Sequence, residues 1–313
     1  MTPETRAQLQ IHLCVVLWGF TAILGKLISL PALPLVWWRM LLVVAVLALL
    51  PKVWKSLRAM PPRLVAAYAG IGALVALHWL TFYAAIKLSN ASVGATCIAL
   101  ATVFTALAEP WVTGSRPSKR EIALGVAIVP GVVLVVGGVP PEMWPGIVVG
   151  TLSALFVAAF GTLNKRLVVH GDPLTVTAIE LGAGTVLLTL LAPLMAGLPA
   201  GFGSDVFVLP GTRDFLYLLG LAMACTLFPF ALSLAALRHM SAFAAQMAVN
   251  LEPVYAIVLA ILLLGEQHEL TQRFYLGVAV VIAAVFAAPL LGRRRAVRHE
   301  ETLAVAEAKQ LAE

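Results

Sequence analysis

Apolar runs of about 18 or more residues recur along the whole chain, and they constrain its fold more than any other feature. A run of that length can cross a bilayer as a helix. In lipid, only helices and closed barrels satisfy every backbone polar group. Of the 313 residues, 61% are hydrophobic and 12% are charged, roughly half the charged fraction of a soluble domain. We therefore predict an all-α, polytopic membrane protein rather than a soluble domain with one anchor.

Ten such runs are predicted to cross the membrane as helices. Their predicted limits are 11–30, 34–51, 64–86, 91–112, 121–139, 145–164, 174–197, 213–236, 241–264 and 273–291. The three cysteines, Cys14, Cys97 and Cys225, lie in different runs without metal-ligand spacing, so neither a disulfide nor a metal site is expected. No cofactor is expected either. The stretch from Gly19 to Leu27 resembles a phosphate-binding loop only superficially, because Leu27 stands where Ser or Thr would bind magnesium.

The lysines and arginines are distributed unevenly between the predicted loops. With the N-terminus in the cytosol, sixteen lie in cytosolic segments and three in outer loops. The cytosolic set is Arg6, Lys52, Lys55, Arg58, Arg63, Arg116, Lys119, Arg120, Lys165, Arg166, Arg238, Arg293, Arg294, Arg295, Arg298 and Lys309, and the outer set is Lys87, Arg213 and Arg273. This split follows the positive-inside rule. It predicts a multi-pass protein of the plasma membrane (the inner membrane of a bacterium), with a cytosolic N-terminus at 1–10 and a cytosolic tail at 292–313. The net charge of +6 is thereby explained by topology, and no nucleic-acid partner is expected.

The two halves of the chain resemble each other in sequence. "LWGFTAILGKL" (17–27) resembles "FVAAFGTLNKRL" (156–167), and "AIKLSNASVGA" (85–95) resembles "ALRHMSAFAAQ" (236–246). Each half therefore supplies five helices, over 11–139 and 145–291. Because five is odd, the second half must enter the membrane from the opposite side. Inverted repeats of this kind recur in secondary transporters, where the binding site lies near the midplane between the halves.

Four stretches resemble the EamA-type branch of the drug/metabolite transporter superfamily. They are "LWGFTAILGK" in the first predicted helix, "WWRMLL" in the second, "NLEPVYAIVLAILLLGEQ" in the ninth and "YLGVAVVIAAVF" in the tenth. The resemblance implies a metabolite carrier, usually an exporter, with a central cavity lined by helices 1, 3, 4, 6, 8 and 9. The first half departs from the pattern, because it has Thr102 where the second half has Pro253, and it adds Glu109.

Glu252 is the acidic residue nearest the middle of the ninth predicted helix. A carboxylate at bilayer depth costs about 2.5–3.5 kcal/mol on insertion scales, so it needs a reason to be there. Pro253, which follows it, has no N–H and interrupts the helix. Two interpretations stay open: a protonated glutamate held by a neighbouring helix, or a carboxyl that exchanges a proton for substrate. The second makes Glu252 both a substrate-binding and a proton-coupling residue. It assumes that no lysine or arginine reaches the middle of any span.

Aromatic and imidazole side chains supply the other candidate substrate contacts. In the third helix, Trp79 and Tyr83 are four residues apart and so share one face with helical spacing, next to His78. Trp18 lies too deep for an interfacial belt. Phe228 precedes Pro229, which frees the carbonyl of Cys225, and Tyr255 lies near Glu252. The candidate substrate-binding set is Trp18, His78, Trp79, Tyr83, Phe228, Glu252 and Tyr255. Packing remains the alternative for each aromatic residue.

A second group of polar residues lies nearer the helix ends. Arg39 is placed towards the outer end of the second helix, and its counterpart in the second half is Glu180. If the helices pack as in the family, Glu109, Glu180, Asn164 and Lys165 are expected to cluster in the inner third of the membrane. We predict that these five residues form a gate or structural ion pairs.

These patterns together predict a secondary transporter that exports a small metabolite, an amino acid or related compound, across the plasma membrane by alternating access. Proton coupling and uncoupled facilitation or exchange both stay open. A membrane-embedded enzyme is disfavoured, because the chain has no zinc-helix motif, no nucleophile elbow and no pair of aspartates in adjacent spans. A channel would be built around a ring of repeated polar groups. The expected partners are the substrate and the lipid bilayer, and either a monomer or a homodimer is compatible with the sequence.

Overall fold

A computed structural model describes residues 2–284 and residue 287, and this part of the chain is helical throughout, without strands. The helices before residue 140 are α1 (Pro3–Leu27), α2 (Ala32–Ala48), α3 (Pro51–Ala59), α4 (Pro62–Leu88), α5 (Ala91–Cys97), α6 (Ala101–Thr113) and α7 (Lys119–Val136). The later helices are α8 (Trp144–Leu167), α9 (Pro173–Leu191), α10 (Thr212–Ala222), α11 (Phe228–Leu237), α12 (Ala242–Val249), α13 (Glu252–Leu264) and α14 (Gln272–Ala284). The predicted tail at 292–313 and the end of the tenth predicted span lie outside the described residues.

Seven helical segments of the described chain are long and apolar enough to cross a membrane, or eight if the bent pair α2 and α3 counts as one span. Three of the seven join two helices of the numbering above: Ala91–Thr113, Thr212–Leu237 and Ala242–Leu264. α2 and α3 meet at 90°, so the second predicted span ends at Ala48 and α3 turns away from it. α7 begins with Lys119, Arg120 and Glu121, and α14 is a shorter apolar helix. The count of ten spans therefore stays a prediction.

Contacts between the connecting segments define two ends of the helix bundle. At the N-terminal end, where α1 begins, Lys52 Nζ lies 2.7 Å from Asp172 Oδ1. Burial raises the pKa of Asp172, but the hydrogen bond and charge of Lys52 outweigh it and bring that pKa below its usual value. At the opposite end, the backbone N–H of Ala32 donates to the carbonyl of Gly201 (3.0 Å). Neighbouring long helices therefore run between these two ends in alternating directions.

The helix pairs α5–α6 and α12–α13 pack against each other near the middle of the bundle, α5 against α13 and α6 against α12. Both pairs are interrupted halfway, at the 3₁₀ turn Ile98–Leu100 and between Val249 and Glu252. Next to these interruptions, Asn250 Nδ2 donates to Thr102 Oγ1 (2.6 Å). Both pairs end at a glycine with positive φ, a conformation that glycine adopts without steric cost: Gly114 (73°) and Gly265 (72°).

A carboxylate from each of these helix pairs binds the first turn of the other. At the opposite end, Glu266 accepts hydrogen bonds from the backbone N–H groups of Ala91 (2.9 Å) and Ser92 (3.0 Å). At the N-terminal end, Glu109 accepts from the backbone N–H groups of Ala242 (2.8 Å) and Phe243 (2.7 Å). A helix start leaves N–H groups unpaired and carries partial positive charge, so a carboxylate there is stabilising on both counts. The two contacts are reciprocal, one at each end.

We expect Glu266→Ala to destabilise the protein by about 3 kcal/mol, because it leaves buried donors at the start of α5 without an acceptor. The Ser92 hydroxyl also loses its partner (2.6 Å). For a chain of this size the loss corresponds to a fall in apparent Tm of roughly 6–12 °C. Thermal unfolding in detergent measures it, with the exposed Glu142→Ala as the matched control. Equal melting of the Glu266→Ala and Glu142→Ala proteins would contradict the stabilising role.

Candidate functional site

A cavity lies between the two halves of the bundle, near the middle of the long helices. The first half contributes residues from α1, α2, α4 and α6, and the second half from α8, α11, α12 and α13. Its polar lining residues are Thr21, Arg39, His78, Thr105, Ser233, Gln246 and Glu252, and its aromatic ones are Trp18, Trp79, Phe82, Phe160 and Phe230. The lining is thus mainly apolar with a few polar groups and two opposite charges, which is typical of small-molecule sites.

Arg39 is the basic residue of this lining. Its side chain is 2% exposed, and its guanidinium carbon lies 3.8 Å from the ring centroid of Trp79, the distance of a cation–π contact. Nη1 donates to the Tyr83 hydroxyl (2.8 Å) and Nε donates to Thr226 Oγ1 (2.5 Å). Arg39 was predicted near the outer end of its helix, in a gate or ion pair. The structure instead directs it into the cavity, because α2 packs against α4 and against the turn Met223–Leu227 that follows α10, and the arginine reaches across to both.

The third contact of Arg39 is with a helix irregularity that the sequence predicts. Pro229 lacks an N–H, so the carbonyl of Cys225 loses its helical donor, and the chain forms a π-helical turn over Met223–Leu227. Arg39 Nη2 donates to this carbonyl (3.3 Å). The predicted break is therefore present, and its freed carbonyl is satisfied by a charged donor from another helix, as membrane-buried backbone requires.

Glu252 is the acidic residue of the cavity. It is the first residue of α13, directly after the interruption of the helix, and is 7% exposed. The predicted interruption before Pro253 is present. Among the described residues, none hydrogen-bonds to the Glu252 carboxyl, and the carboxyl opens onto the cavity. A buried carboxyl without hydrogen-bonding partners is costly when charged, so a positively charged group in the cavity would stabilise its ionised form.

Arg39 and Glu252 face the same cavity and attract each other electrostatically. Arg39 and Glu252 form no direct ion pair. The side-chain ion pair found among the described residues joins Lys52 and Asp172. The sequence-based assumption that no arginine reaches the middle of a span is therefore wrong. It failed because depth along a helix does not specify the direction of a long side chain.

Three other predicted contact residues, Trp18, His78 and Trp79, also line the cavity. Trp79 contacts the ring of Phe230 edge-on, with centroids 5.9 Å apart. The Nδ1 atom of His78 lies 3.1 Å from the carbonyl oxygen of Ser153. Nδ1 also lies 2.8 Å from the Ser153 hydroxyl, which can donate or accept, so these contacts fit either neutral tautomer of His78.

The remaining predicted contact residues lie outside the cavity lining. Tyr83 is fully buried behind it and holds Arg39. Phe228 is 51% exposed, and Phe230 lines the cavity in its place. The π-helical turn before Phe228 contains one residue more than an α-helical turn, so the residues after it lie on a different face of the helix. Tyr255 is 39% exposed, packs its Cβ against Gly19 of α1 and does not line the cavity.

The predicted inner group of Glu109, Asn164, Lys165 and Glu180 is divided in the structure. Asn164 Nδ2 donates to Glu180 Oε2 (3.3 Å), whereas Lys165 Nζ donates to the carbonyl of Leu237 (2.7 Å) at the end of α11. Glu109 binds the start of α12. No ion pair joins these four residues or includes Arg39 in the described part of the chain.

The cavity extends towards the N-terminal end of the bundle. Lining residues on that side are Ile11, Thr105, Gly161, Leu237 and Ala242. At the opposite end the helices are held together by Lys87, which donates to the carbonyl of Ile28, and by Asp214, which accepts from the backbone N–H (3.1 Å) and hydroxyl (2.5 Å) of Ser29. None of these four residues lines the cavity.

Sequence reasoning missed several lining residues, among them Gln246, Ser233 and Phe160. Gln246 lies six residues before Glu252, which puts the two side chains about 120° apart on a regular helix, so helical spacing from Glu252 gave no signal for it. Phe160 stands in a stretch of small residues that indicated packing only. For Arg39 the signal was the unpaired carbonyl of Cys225, which required a donor from outside its helix.

Comparison with known proteins adds the following findings. The model of the EamA-like transporter family matches residues 5–137 and again residues 144–288. A solved structure described only as "Crystal structure of protein" is similar in fold, with a TM-score of 0.65 and 17% identity, covering 93% of this chain and 98% of that one. No curated protein matches the chain in sequence.

Proposed function

Because the chain belongs to the EamA-like transporter family, a family of membrane transporters of small molecules, we propose that it is a secondary transporter that exports an amino acid or related metabolite. It works by alternating access in the plasma membrane. The observation that carries this proposal is the shared cavity of Arg39 and Glu252. A compound with both a carboxylate and an ammonium group would pair with both residues and neutralise them.

The unoccupied hydrogen-bonding capacity of the two residues supports this assignment. Arg39 has five N–H donors and uses three nitrogens for Thr226, Tyr83 and Cys225, which leaves N–H groups on Nη1 and Nη2 for a ligand carboxylate. The Glu252 carboxyl has no partner among the described residues. Trp79, Phe82 and Phe230 provide apolar contact for the rest of such a molecule.

The shape of the cavity supports alternating access. It extends to the N-terminal end, whereas the other end is closed by hydrogen bonds between α1, α4 and α10. With the cytosolic N-terminus that the positive charges predict, this conformation would take up substrate from the cytosol. Release outside would require the contacts of Ser29 and Lys87 to open and the cytosolic side to close.

The architecture proposed for this cycle is ten spans in two inverted five-helix repeats, 11–139 and 145–291. The reciprocal contacts of Glu109 with α12 and of Glu266 with α5 support it, because they place the same interaction at opposite ends. So does the contact between Trp79 and Phe230, which lie 151 residues apart, the same offset as Lys87 and Arg238 in the sequence repeat.

Two forms of coupling are compatible with the site. In the first, Glu252 carries a proton when the cavity is empty and releases it when substrate binds. In the second, the protein is an uncoupled facilitator or exchanger.

A ligand screen followed by flux measurement tests the proposed function. Purified protein is screened by thermal shift against amino acids, amines and organic acids, and the hits are assayed in proteoliposomes. We expect saturable flux of zwitterionic compounds that is faster than in liposomes without protein. Flux that does not saturate, or stabilisation by compounds that lack either charge, would contradict the transporter or the substrate class respectively.

The topology prediction is that both termini and the loop after α2 are cytosolic. Reporter fusions at Thr2, at Ser204 between α9 and α10, and after Glu313 should report inside, outside and inside. The charge distribution between loops is the physical reason. An outside C-terminus would contradict the even number of spans and with it the inverted repeat.

A further inference from the structure

Glu180 is a second buried carboxyl, and it does not line the cavity. It lies in α9 with an exposed fraction of 0%. α4 covers it closely, because a Cβ added to Gly72 would lie 2.0 Å from the backbone oxygen of Glu180. Its one side-chain hydrogen bond among the described residues comes from Asn164 Nδ2 to Oε2 (3.3 Å).

The pair leaves two buried oxygens without a donor, Glu180 Oε1 and Asn164 Oδ1. Both are acceptors when the carboxyl is ionised, so an ionised pair leaves both unsatisfied. A protonated carboxyl has one O–H donor. If Oε1 carries the proton, the acid and the amide form a cyclic pair with one hydrogen bond in each direction. A single proton thereby satisfies both oxygens.

The charged groups around α9 are engaged elsewhere. α2, α3, α4 and α11 pack against α9, and α8 reaches it through the side chain of Asn164. From α8, Lys165 donates to Leu237; from α4, the Tyr68 hydroxyl donates to the carbonyl of Leu167 (2.7 Å). Three further charged groups on this side have other partners: Arg39 of α2 donates to Thr226, Lys52 of α3 pairs with Asp172, and Arg238 after α11 donates to the carbonyls of Val168 and Gly171. Lys55 and Arg58 of α3 are exposed at the surface.

A metal cation does not fit these two oxygens. Hard cations take about six or more oxygen ligands. Apart from this pair, the buried side-chain oxygens without a partner in the described chain are Asn250 Oδ1 and Tyr275 Oη. Asn250 belongs to the interruption beside Thr102, and Tyr275 lies on α14. The ligand that matches the pair in number and chemistry is a proton.

We propose that Glu180 and Asn164 form a proton-binding site, distinct from Glu252, that is occupied in this conformation and links α8 to α9 through their side chains. On release, the proton goes to water, and the carboxylate and the amide oxygen both lose their donor inside the packed helices. The side-chain link between α8 and α9 then weakens or takes up water. This inference does not depend on the identity of the transported compound.

Glu180→Gln tests the site because an amide reproduces the hydrogen bonding of the protonated acid. Its Nε2 donates to Asn164 Oδ1 and its oxygen accepts from Nδ2. In the unfolded chain, a glutamate side chain has a pKa of about 4.3. A folded state that keeps the proton is therefore destabilised relative to the unfolded state as the pH rises above that value. We expect the Tm of the parent to fall at rising pH more than that of Glu180→Gln, with the two equal at acidic pH.

Infrared spectroscopy of the purified protein gives a direct readout. At neutral pH, the parent should show the carbonyl stretch of a protonated carboxylic acid. We expect Glu180→Gln to lack one component of this band, and Glu252→Gln, the matched control, to retain that component. An unchanged carbonyl band in Glu180→Gln would overturn the proposal. So would the same pH dependence of Tm in parent and variant, or a Glu180→Gln protein that does not fold, since the amide satisfies every hydrogen bond of the protonated pair.

Discussion

Arg39→Met is expected to weaken substrate binding about 10- to 150-fold and to cause the largest loss of stability of any single substitution in the cavity. The change removes the positive charge from the cavity and leaves Thr226, Tyr83 and the Cys225 carbonyl without their donor. An unsatisfied buried polar group costs about 1–3 kcal/mol, so the combined effect is roughly 5 kcal/mol. Loss of a charged hydrogen bond to the ligand, worth about 1.5–3 kcal/mol, lowers affinity about 10- to 150-fold.

Arg39→Lys separates the two effects. Lysine keeps the charge and its contact with the Trp79 ring, but a single nitrogen cannot serve three acceptors on two helices. We expect a variant that folds, melts below the parent and binds ligand at least about tenfold more weakly. Thermal unfolding and ligand titration in detergent measure both quantities. Arg213→Met, which removes an exposed arginine that also contacts a ring, is the matched control. Parent-like affinity in both Arg39 variants would show that Arg39 is only a structural brace.

Glu252→Gln is expected to abolish accumulation driven by a pH gradient, while exchange of substrate for substrate persists at raised KM. Glutamine keeps the size of the protonated acid but binds neither a proton nor an ammonium group with a charge. The KM should rise about tenfold, the effect of losing about 1.4 kcal/mol. Folding should be nearly unchanged, because the carboxyl has no protein partner in the described chain.

Flux in proteoliposomes with and without an imposed pH gradient makes this measurement. Glu252→Asp, which retains the carboxyl one methylene further back, is expected to keep part of the coupling. If Glu252→Gln accumulates substrate in response to the gradient as the parent does, proton coupling depends on a residue other than Glu252. If the parent itself shows no such response, the protein is an uncoupled facilitator or exchanger.

The helical membrane fold could be predicted because it depends on features that survive in a single sequence. Long apolar runs require helices in lipid, and prolines interrupt them wherever they occur. The irregular turns before Pro253 and Pro229 are both present. The same reasoning extends to Glu252, since a lone carboxyl in an apolar helix indicates a site without any knowledge of its neighbours.

Side-chain direction and the choice of partner could not be predicted. Arg39 was placed by its depth in α2, but its contacts come from α4 and the π turn before α11. Glu109 was grouped with Asn164 because both are polar and near the same end. Glu109 binds the start of α12 instead. The first half has Ser115 at the position that corresponds to Glu266 of the second half, and Glu109 lies close enough to bind the facing helix start in its place. Such exchanges depend on helix packing, which one sequence does not specify.

The account depends most on the claim that Arg39 and Glu252 bind opposite ends of one substrate. The direct test titrates three ligands into the parent, Glu252→Gln and Arg39→Lys: an amino acid that the thermal-shift screen identifies, its amide, and its analogue without the amino group. The account predicts that Glu252→Gln loses the preference for the amino group and keeps that for the carboxylate, whereas Arg39→Lys weakens the preference for the carboxylate and keeps that for the amino group. Preferences that are unchanged in both variants would contradict it.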